Sequence, residues 1–275
     1  MTASSDIVRI FGVAKNLVEE AGKLITEAIW KDKKVSTKSS AVDFVTESDQ
    51  RVEKFIISSI SKEFPDHKFI AEESTDQELK LLDYPTWIID PIDGTMNFVH
   101  GNPLVCISIG FYVNKEAEFG IIYNPVLKEL YTALKGKGAY LNGQPIAASG
   151  RTEINKALIC FEGGSSRDPE KMRCVIENFT TLYPKVHGFR SYGTAAISMS
   201  MLARGSVDAY FEFGPHIWDM AAGSLIIREA GGVVIDPSGG PLDLMSRQFL
   251  CASSTELALE LSKNLKLYKQ QRDDE

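Results

Sequence analysis

The chain begins with an apolar stripe of helical period. Ile7, Ile10, Phe11, Ala14, Leu17, Val18, Ala21, Leu24, Ile25 and Ala28 recur at intervals of three and four. Lys15, Glu19, Glu20, Lys23 and Glu27 occupy the opposite face. After a polar stretch over 31–40, a second helix buries Val52, Phe55, Ile56, Ile60 and Phe64, with Thr46 or Ser48 as its cap and Pro65 as its end. The period then shortens. Phe69-Ile70-Ala71 leads into Glu72-Glu73, and Thr86-Trp87-Ile88-Ile89 leads into Asp90. The runs 105–113, 117–123 and 130–134 predict a strand meander turning at Asn114-Lys115, with further turns at Gly136, Gly138 and Asn142-Gly143.

The second half mixes periods. Helices are predicted over 168–182, 194–203, 218–230 and about 255–269, the third closed by Gly231-Gly232. Strands are predicted over 207–213, 233–235 and 249–252. Helices and strands alternate in blocks, which predicts an α/β protein of layered sheets and helices. No Gly/Ser- or Pro-rich linker divides the halves. The expected organisation is one compact domain, 1–275, of two tightly joined lobes, about 1–145 and 146–275.

Composition narrows the partners. A chain of 275 residues can bury a large core without a disulfide or metal staple. A net charge of −7 argues against nucleic acid as the main partner. It leaves a phosphorylated substrate open, provided divalent cations stand between the two sets of negative charge. Cys106, Cys160, Cys174 and Cys251 are scattered, without Cys-x-x-Cys pairs, and read as reduced thiols of a cytoplasmic protein. Residues 1–10 show no basic region followed by an apolar core, and no segment approaches the roughly 18 apolar residues of a membrane span, so no membrane partner is expected.

Candidate chemistry concentrates in Trp87-Ile88-Ile89-Asp90-Pro91-Ile92-Asp93-Gly94-Thr95-Met96-Asn97-Phe98. An apolar strand delivers Asp90 at its carboxyl end, where open α/β sheets place their sites. Pro91 is a rigid spacer that can hold Asp90 and Asp93 on one side of a turn, with the Ile92 carbonyl as a third oxygen between them. Carboxylates, a carbonyl and water are what a hard cation such as magnesium takes. Gly94 lets backbone approach a ligand, and Thr95 opens a short helix whose free N–H groups suit a phosphate. A lone Asp-Gly would read as a plain turn. Two carboxylates, a spacer and a glycine directly after a buried strand shift the reading to a site. Glu72 also follows an apolar strand and reads equally well as a further ligand or as part of a solvated loop. Asp219 begins an apolar helix, where ordinary capping accounts for it unless something brings it to Asp90 and Asp93. His216 lacks a partner at metal or triad spacing and reads as structural. Cys106 and Cys251 read as core thiols.

Asp90-Pro-Ile-Asp-Gly-Thr95, Trp218-Asp219-Met-Ala-Ala-Gly223 and Glu229-Ala-Gly-Gly232 together resemble the inositol monophosphatase family, in particular its animal branch. The resemblance runs from Thr46-Glu-Ser-Asp49 to Gln271-Arg-Asp-Asp274. It implies an αβαβα sandwich like that of the fructose bisphosphatase-like sugar phosphatases. It implies a phosphoric monoester hydrolase that converts myo-inositol monophosphate to myo-inositol and phosphate with metal-activated water, feeding inositol recycling and phosphatidylinositol signalling. It further implies two or three Mg2+ ions per subunit, inhibition by Li+, a homodimer and a cytoplasmic location. Carried over by position, Glu72, Asp90 and the Ile92 carbonyl hold a first magnesium, and Asp90, Asp93 and Asp219 a second. Glu72 also borders a weaker third. Gly94 and Thr95 bind phosphate, with Asp93 and Asp219 beside it. Gly193, Thr194, Ala195 and Glu212 line the inositol pocket, with Ser165 nearby. Asp49 pairs with Thr95 to orient the attacking water, with Glu72 adjacent. Lys38 falls in a stretch that serves the family as a flap, although for direct catalysis it reads as an exposed lysine. Pro215 and Ile217 depart from the animal pattern and bear on the pocket wall. Rival substrates within the fold are fructose bisphosphate, 3′-phosphoadenosine phosphate and histidinol phosphate, and a rival class is a non-catalytic calcium- or partner-binding protein.

Overall fold

A computed structural model describes residues 4–33, 35–37, 44–75 and 79–275. In chain order the first half carries α1 (Ser4–Ala28), β1 (Val35–Thr37), β2 (Phe44–Thr46), α2 (Glu47–Glu63), β3 (Lys68–Ala71), β4 (Thr86–Asp93), α3 (Thr95–Val99), β5 (Cys106–Val113), β6 (Glu116–Asn124), β7 (Glu129–Leu134), β8 (Ala139–Leu141) and β9 (Gln144–Ile146). The second half carries β10 (Leu158–Phe161), α4 (Pro169–Leu182), β11 (Gly188–Arg190), α5 (Ala195–Ala203), β12 (Ala209–Phe213), α6 (Ile217–Glu229), β13 (Val233–Ile235), β14 (Gln248–Ala252) and α7 (Thr255–Asn264).

Among the described residues, strands β3 to β9 form a seven-stranded sheet in sequence order, and the second half forms a five-stranded sheet ordered β11-β10-β12-β14-β13. The predicted meander is β5, β6 and β7. Its first turn runs through Asn114 and Lys115, both at positive φ (52° and 63°), the conformation of a tight hairpin turn. The polar stretch after α1 contains the short β1, which pairs with β2.

Alternation along the strands explains the layering. Trp87 and Ile89 of β4, Ile107, Ile109 and Phe111 of β5, and Phe119 and Ile121 of β6 pack with the apolar stripes of α1 and α2. The intervening residues Ile88, Tyr112 and Ile122 face the other way, into a core shared with α5, α6, and Tyr210 and Cys251 of the five-stranded sheet. The far face of that sheet, including Ile159, Phe211 and Leu250, packs on Cys174 and Leu182 of α4 and Leu257 and Leu261 of α7. The result is the expected αβαβα sandwich. Helices α5 and α6 lie between two sheets, which is why their sequences are apolar nearly all round. Gly120 allows the close approach, because a Cβ there would meet the Ala222 carbonyl oxygen at 2.5 Å.

Two predicted boundaries move. The final helix, expected to about 269, stops at Asn264. Asn178 of α4 captures the chain beyond it: its Oδ1 accepts from the Lys266 N–H (2.7 Å) and its Nδ2 donates to the Lys266 carbonyl (2.9 Å). The strand expected over 207–213 begins at Ala209. All four cysteines are free and buried, as core thiols. No helix among the described residues is long and apolar enough to cross a membrane.

Candidate active site

Strand β4 is buried at every position and lies between β3 and β5. In a regular strand, residues three apart face opposite sides. Here the register steps from Asp90↔Ser108 to Asp93↔Cys106, so β4 carries one residue more than β5 over this stretch. That bulge turns Asp90 and Asp93 to the same face. Pro91 sits within it, where a missing N–H breaks no regular ladder. The turn expected through Asp90 and Asp93 is therefore corrected: the strand continues through both carboxylates and the chain turns at Gly94, whose φ is 90°. A side chain at Gly94 would press on the Leu104 carbonyl and on Thr194. The Ile92 N–H donates to Asp90 Oδ1 (3.0 Å).

The starts of three helices meet this strand end. Thr95 opens α3. Asp93 Oδ2 accepts from Thr194 Oγ1 (2.8 Å), the cap of α5, and from the Ala196 N–H (2.6 Å) in its first turn. Asp219 stands in the first turn of α6 and its Oδ2 accepts from the His216 N–H (2.6 Å). Capping thus explains Asp219 locally, and the layering supplies the rest. Carboxylate oxygens of Asp90, Asp93 and Asp219 lie within 4.8 Å of one another. Glu72, just past β3, lines the same cleft as these three and Ile92.

Burial sets the electrostatics. Desolvation first, then Glu72, Asp93 and Asp219, push the Asp90 carboxyl well above its ordinary range. Asp219 is pushed up for the same leading reason, with Asp93 and Glu72 adding to it. Asp93 rises only to about 6, because the Ala196 N–H and Thr194 hydroxyl stabilise its anion against burial. Such a set holds protons or a cation. Its donors are all oxygens, the preference of a hard divalent ion.

Asp49 is fully buried behind Thr95. It belongs to the capping box of α2, in which its Oδ2 accepts from the Thr46 N–H (2.9 Å). Its Oδ1 lies 3.2 Å from Thr95 Oγ1, and that hydroxyl lies equally far from the Ile92 carbonyl oxygen. One hydroxyl proton serves one acceptor at a time, which leaves the other contact as an alternative. Burial raises Asp49 to about 6.

Beyond the carboxylates the cleft extends to about 760 Å³ and is lined by Ser165, Gly193, Thr194, Ala195 and Glu212 among others. Glu212 points from β12 into the inner layer, where the Tyr210 hydroxyl donates to it. Burial raises it to about 7. The Thr194 hydroxyl is engaged with Asp93 and accepts from the Ile197 N–H (3.0 Å), so its side chain is structural. Pro215 lines the cleft, whereas Ile217 is buried in the central core. Lys38 lies outside the described residues.

Several participants were missed in the sequence. Glu162, directly after β10, accepts from the N–H groups of Tyr192 (2.6 Å) and Gly193 (2.9 Å) and from Ser191 Oγ (2.8 Å). An acid at a strand end followed by Gly163-Gly164 was the available signal. Asn97 Nδ2 donates to the Leu104 and Tyr192 carbonyls (2.8 and 2.7 Å), joining the two halves beside Gly193. Asp273 of the C-terminal tail accepts from the Ile217 N–H (3.0 Å) at the start of α6, and contacts His216 Nδ1 (2.6 Å). Arg247 Nη2 lies 3.0 Å from His216 Nε2. Arginine only donates, so Nε2 accepts and Nδ1–H donates to Asp273. These two contacts fix the His216 ring where it lines the cleft. Asp273 lies in the Gln271-Arg-Asp-Asp274 stretch that the resemblance reached, without a role read for it, and no sequence signal marked Lys171, which also lines the cleft.

Comparison with known proteins gives the same direction. A family model described as the inositol monophosphatase family matches residues 6–270. The chain is 51% identical over 265 residues to inositol monophosphatase 1 of Homo sapiens, covering 95% of this chain and 96% of that protein. It is 48% identical to inositol monophosphatase 2 of Mus musculus, covering 96% and 92%. Among solved structures, extragenic suppressor protein suhB from Bartonella henselae superposes with a TM-score of 0.85 at 31% identity, covering 94% of this chain and 98% of that one.

Proposed function

The chain belongs to the inositol monophosphatase family, and from that premise we propose that it hydrolyses myo-inositol monophosphate to myo-inositol and phosphate with magnesium. The observation that carries the reading is the convergence of Asp90, Asp93 and Asp219 on the start of α3, at one end of a cleft whose wall carries Glu212. We read the molecule as one domain of two joined lobes, with the second contributing Asp219.

The donor set suits magnesium. Glu72, Asp90 and the Ile92 carbonyl would hold one ion, Asp90, Asp93 and Asp219 a second, and Glu72 would border a third. Bound there, the ions supply charge neutralisation at the phosphoryl oxygens and acidify a water. The protein's own groups do the placing. The Gly94 and Thr95 N–H groups donate to the phosphate, whose oxygens also lie beside Asp93 and Asp219. Thr95 Oγ1 donates to Asp49 Oδ1 and accepts from the attacking water, so Asp49 draws proton density from that water through one hydroxyl. Glu212 accepts from polyol hydroxyls, while Gly193, Thr194, Ala195 and Ser165 shape the surrounding wall. Glu162 and Asn97 hold Gly193 in place.

Membership of this family further supports inhibition by lithium, a homodimeric assembly and a cytoplasmic role in inositol recycling. The deciding experiment is phosphate release from inositol 1-phosphate by the purified protein. It should require magnesium, fall with lithium, and exceed release from fructose bisphosphate, 3′-phosphoadenosine phosphate and histidinol phosphate. Preference for any of those three would overturn the substrate, and release independent of divalent metal would overturn the mechanism.

A further inference from the structure

Lys171 sits in the first turn of α4 with 3% of its surface exposed, yet it lines the cleft. Its Nζ lies 2.8 Å from where a Cβ on Gly164 would stand, and 2.5 Å from one on Gly214. Both glycines have positive φ (65° and 104°), so the space that admits the ammonium is one that side chains at these positions would close. Glu212 Oε1 is 3.3 Å from the same point on Gly164, which keeps ammonium and carboxylate within about 6 Å of each other. Among the described residues the ammonium makes no hydrogen bond and no close ion pair.

The neighbouring charges are occupied elsewhere. Arg247 Nη2 donates to the Gly214 carbonyl (2.9 Å) and to His216. Asp168 caps α4 through the N–H groups of Glu170 and Lys171. Desolvation lowers the Lys171 pKa, with Glu212 opposing that shift and Arg247 and Arg167 adding to it. The Lys171 ammonium and the Glu212 carboxylate face each other across the cleft without touching. Although Glu212 Oε2 takes the Tyr210 hydroxyl, its Oε1 and the ammonium both keep hydrogen-bonding capacity for a ligand. A hydroxyl suits the gap, because it accepts from one and donates to the other. A second anionic group would meet the ammonium but oppose Glu212.

We propose that Lys171 is a specificity-determining residue of the cleft: its ammonium and the Glu212 carboxylate form an open pair that one ring hydroxyl of the substrate closes. This rests on the polyol phosphate reading above and names the device that selects the polyol. The arrangement discriminates, since a ligand without that hydroxyl leaves the ammonium and one oxygen of Glu212 without the contact each would make.

The test is steady-state kinetics on inositol 1-phosphate and its monodeoxy analogues with wild type, Lys171→Met, Lys171→Thr and Glu212→Gln. In the wild type one analogue should lose about 10²-fold or more in kcat/KM. Lys171→Met should raise KM for the full substrate about tenfold, keep kcat, and shrink that analogue's deficit to about threefold. The Thr variant carries the same test if the Met variant folds poorly. Calorimetry with free myo-inositol and phosphate gives a readout independent of turnover, in which Lys171→Met should weaken binding about tenfold. An inactive wild type that still shows this Lys171-dependent binding would sink the phosphatase reading and keep the pair. A full deoxy penalty retained in Lys171→Met, a loss confined to kcat, or a loss confined to bisphosphorylated substrates would overturn the proposal.

Discussion

At one end of the cleft every aspartate is tied to backbone. Asp90 takes the Ile92 N–H, Asp93 the Ala196 N–H, and Asp219 the His216 N–H. These groups sit on a central strand and at the start of a sandwiched helix, with Asp90 2% and Asp93 7% exposed. At the other end Glu212 is equally buried, but its surroundings come from separate segments: the Gly163-Gly164-Ser165 loop, the start of α4, Gly193 and Gln270 of the tail. There the contacts run largely through side chains and loops. On the proposed reading, phosphate chemistry is built into the layers, whereas polyol choice is carried by pieces that can change without disturbing them.

The largest test of that contrast removes a carboxylate from the rigid end. Asp93→Asn should leave phosphate release lower by about 10³-fold, because the acidic set loses a charge and Thr194 and Ala196 lose an anionic acceptor. Magnesium titration calorimetry should show the accompanying loss of affinity, and near-wild-type turnover at limiting magnesium would break the assignment.

Thr95→Ala separates proton handling from cation binding. It removes a hydroxyl and no charge. The expected loss is about 10²–10⁴-fold in kcat with a smaller change in KM and unchanged magnesium affinity. Asp49→Asn should share part of this loss, and the double variant should be no worse than the more damaging single one. A normal kcat in Thr95→Ala would take the pair out of the mechanism.

Asp273→Asn tests how far the rigid end depends on the tail. Its carboxylate holds the Ile217 N–H and the His216 ring, one turn from Asp219. Outer contacts of this kind are worth about 10–100-fold in metal affinity. Magnesium affinity should fall by about tenfold while the inositol-deoxy discrimination stays as in the wild type. A change in discrimination without a change in affinity would reverse the division between the two ends.

The smallest effect is in stability. Asp49 and Asp93 are raised to about 6 and Glu212 to about 7 in the fold. Between the ordinary carboxylate range and pH 7, the folded chain therefore binds protons that the unfolded chain has released, and stability falls as pH rises through that window. Scanning calorimetry in chelator should show a lower Tm at pH 7.5 than at pH 5.5, at about 2–4 °C per kcal/mol. Magnesium should lift Tm more at pH 7.5, where it meets fewer protons. A Tm that is flat or rises with pH in chelator would contradict the burial argument.

Much of the fold was legible because its signals are local. The stripe of α1, the meander of β5 to β7, the cap at Thr46 and the glycines closing α6 each follow from neighbours in sequence. Resemblance then extended legibility to contacts far apart in the chain, including Asp219 and Glu212. What stayed hidden was decided by partners with no sequence proximity. The helix expected to run to about 269 gave way to Asn178, which offers Lys266 the two hydrogen bonds a strand would.

Sequence alone located most of the helices, the meander and the acids that follow apolar strands, and its motifs gave the family and its chemistry. Strands β10 and β11 of the second sheet were not among the predicted strands. Only the tertiary structure decided that a bulge, not a turn, aligns Asp90 with Asp93. It alone set the α5 start against Asp93, the tail against α6, and Lys171 opposite Glu212. The physical reason is range. Periodicity and capping act over a few residues, whereas side-chain facing, burial and charge balance depend on which layers pack together.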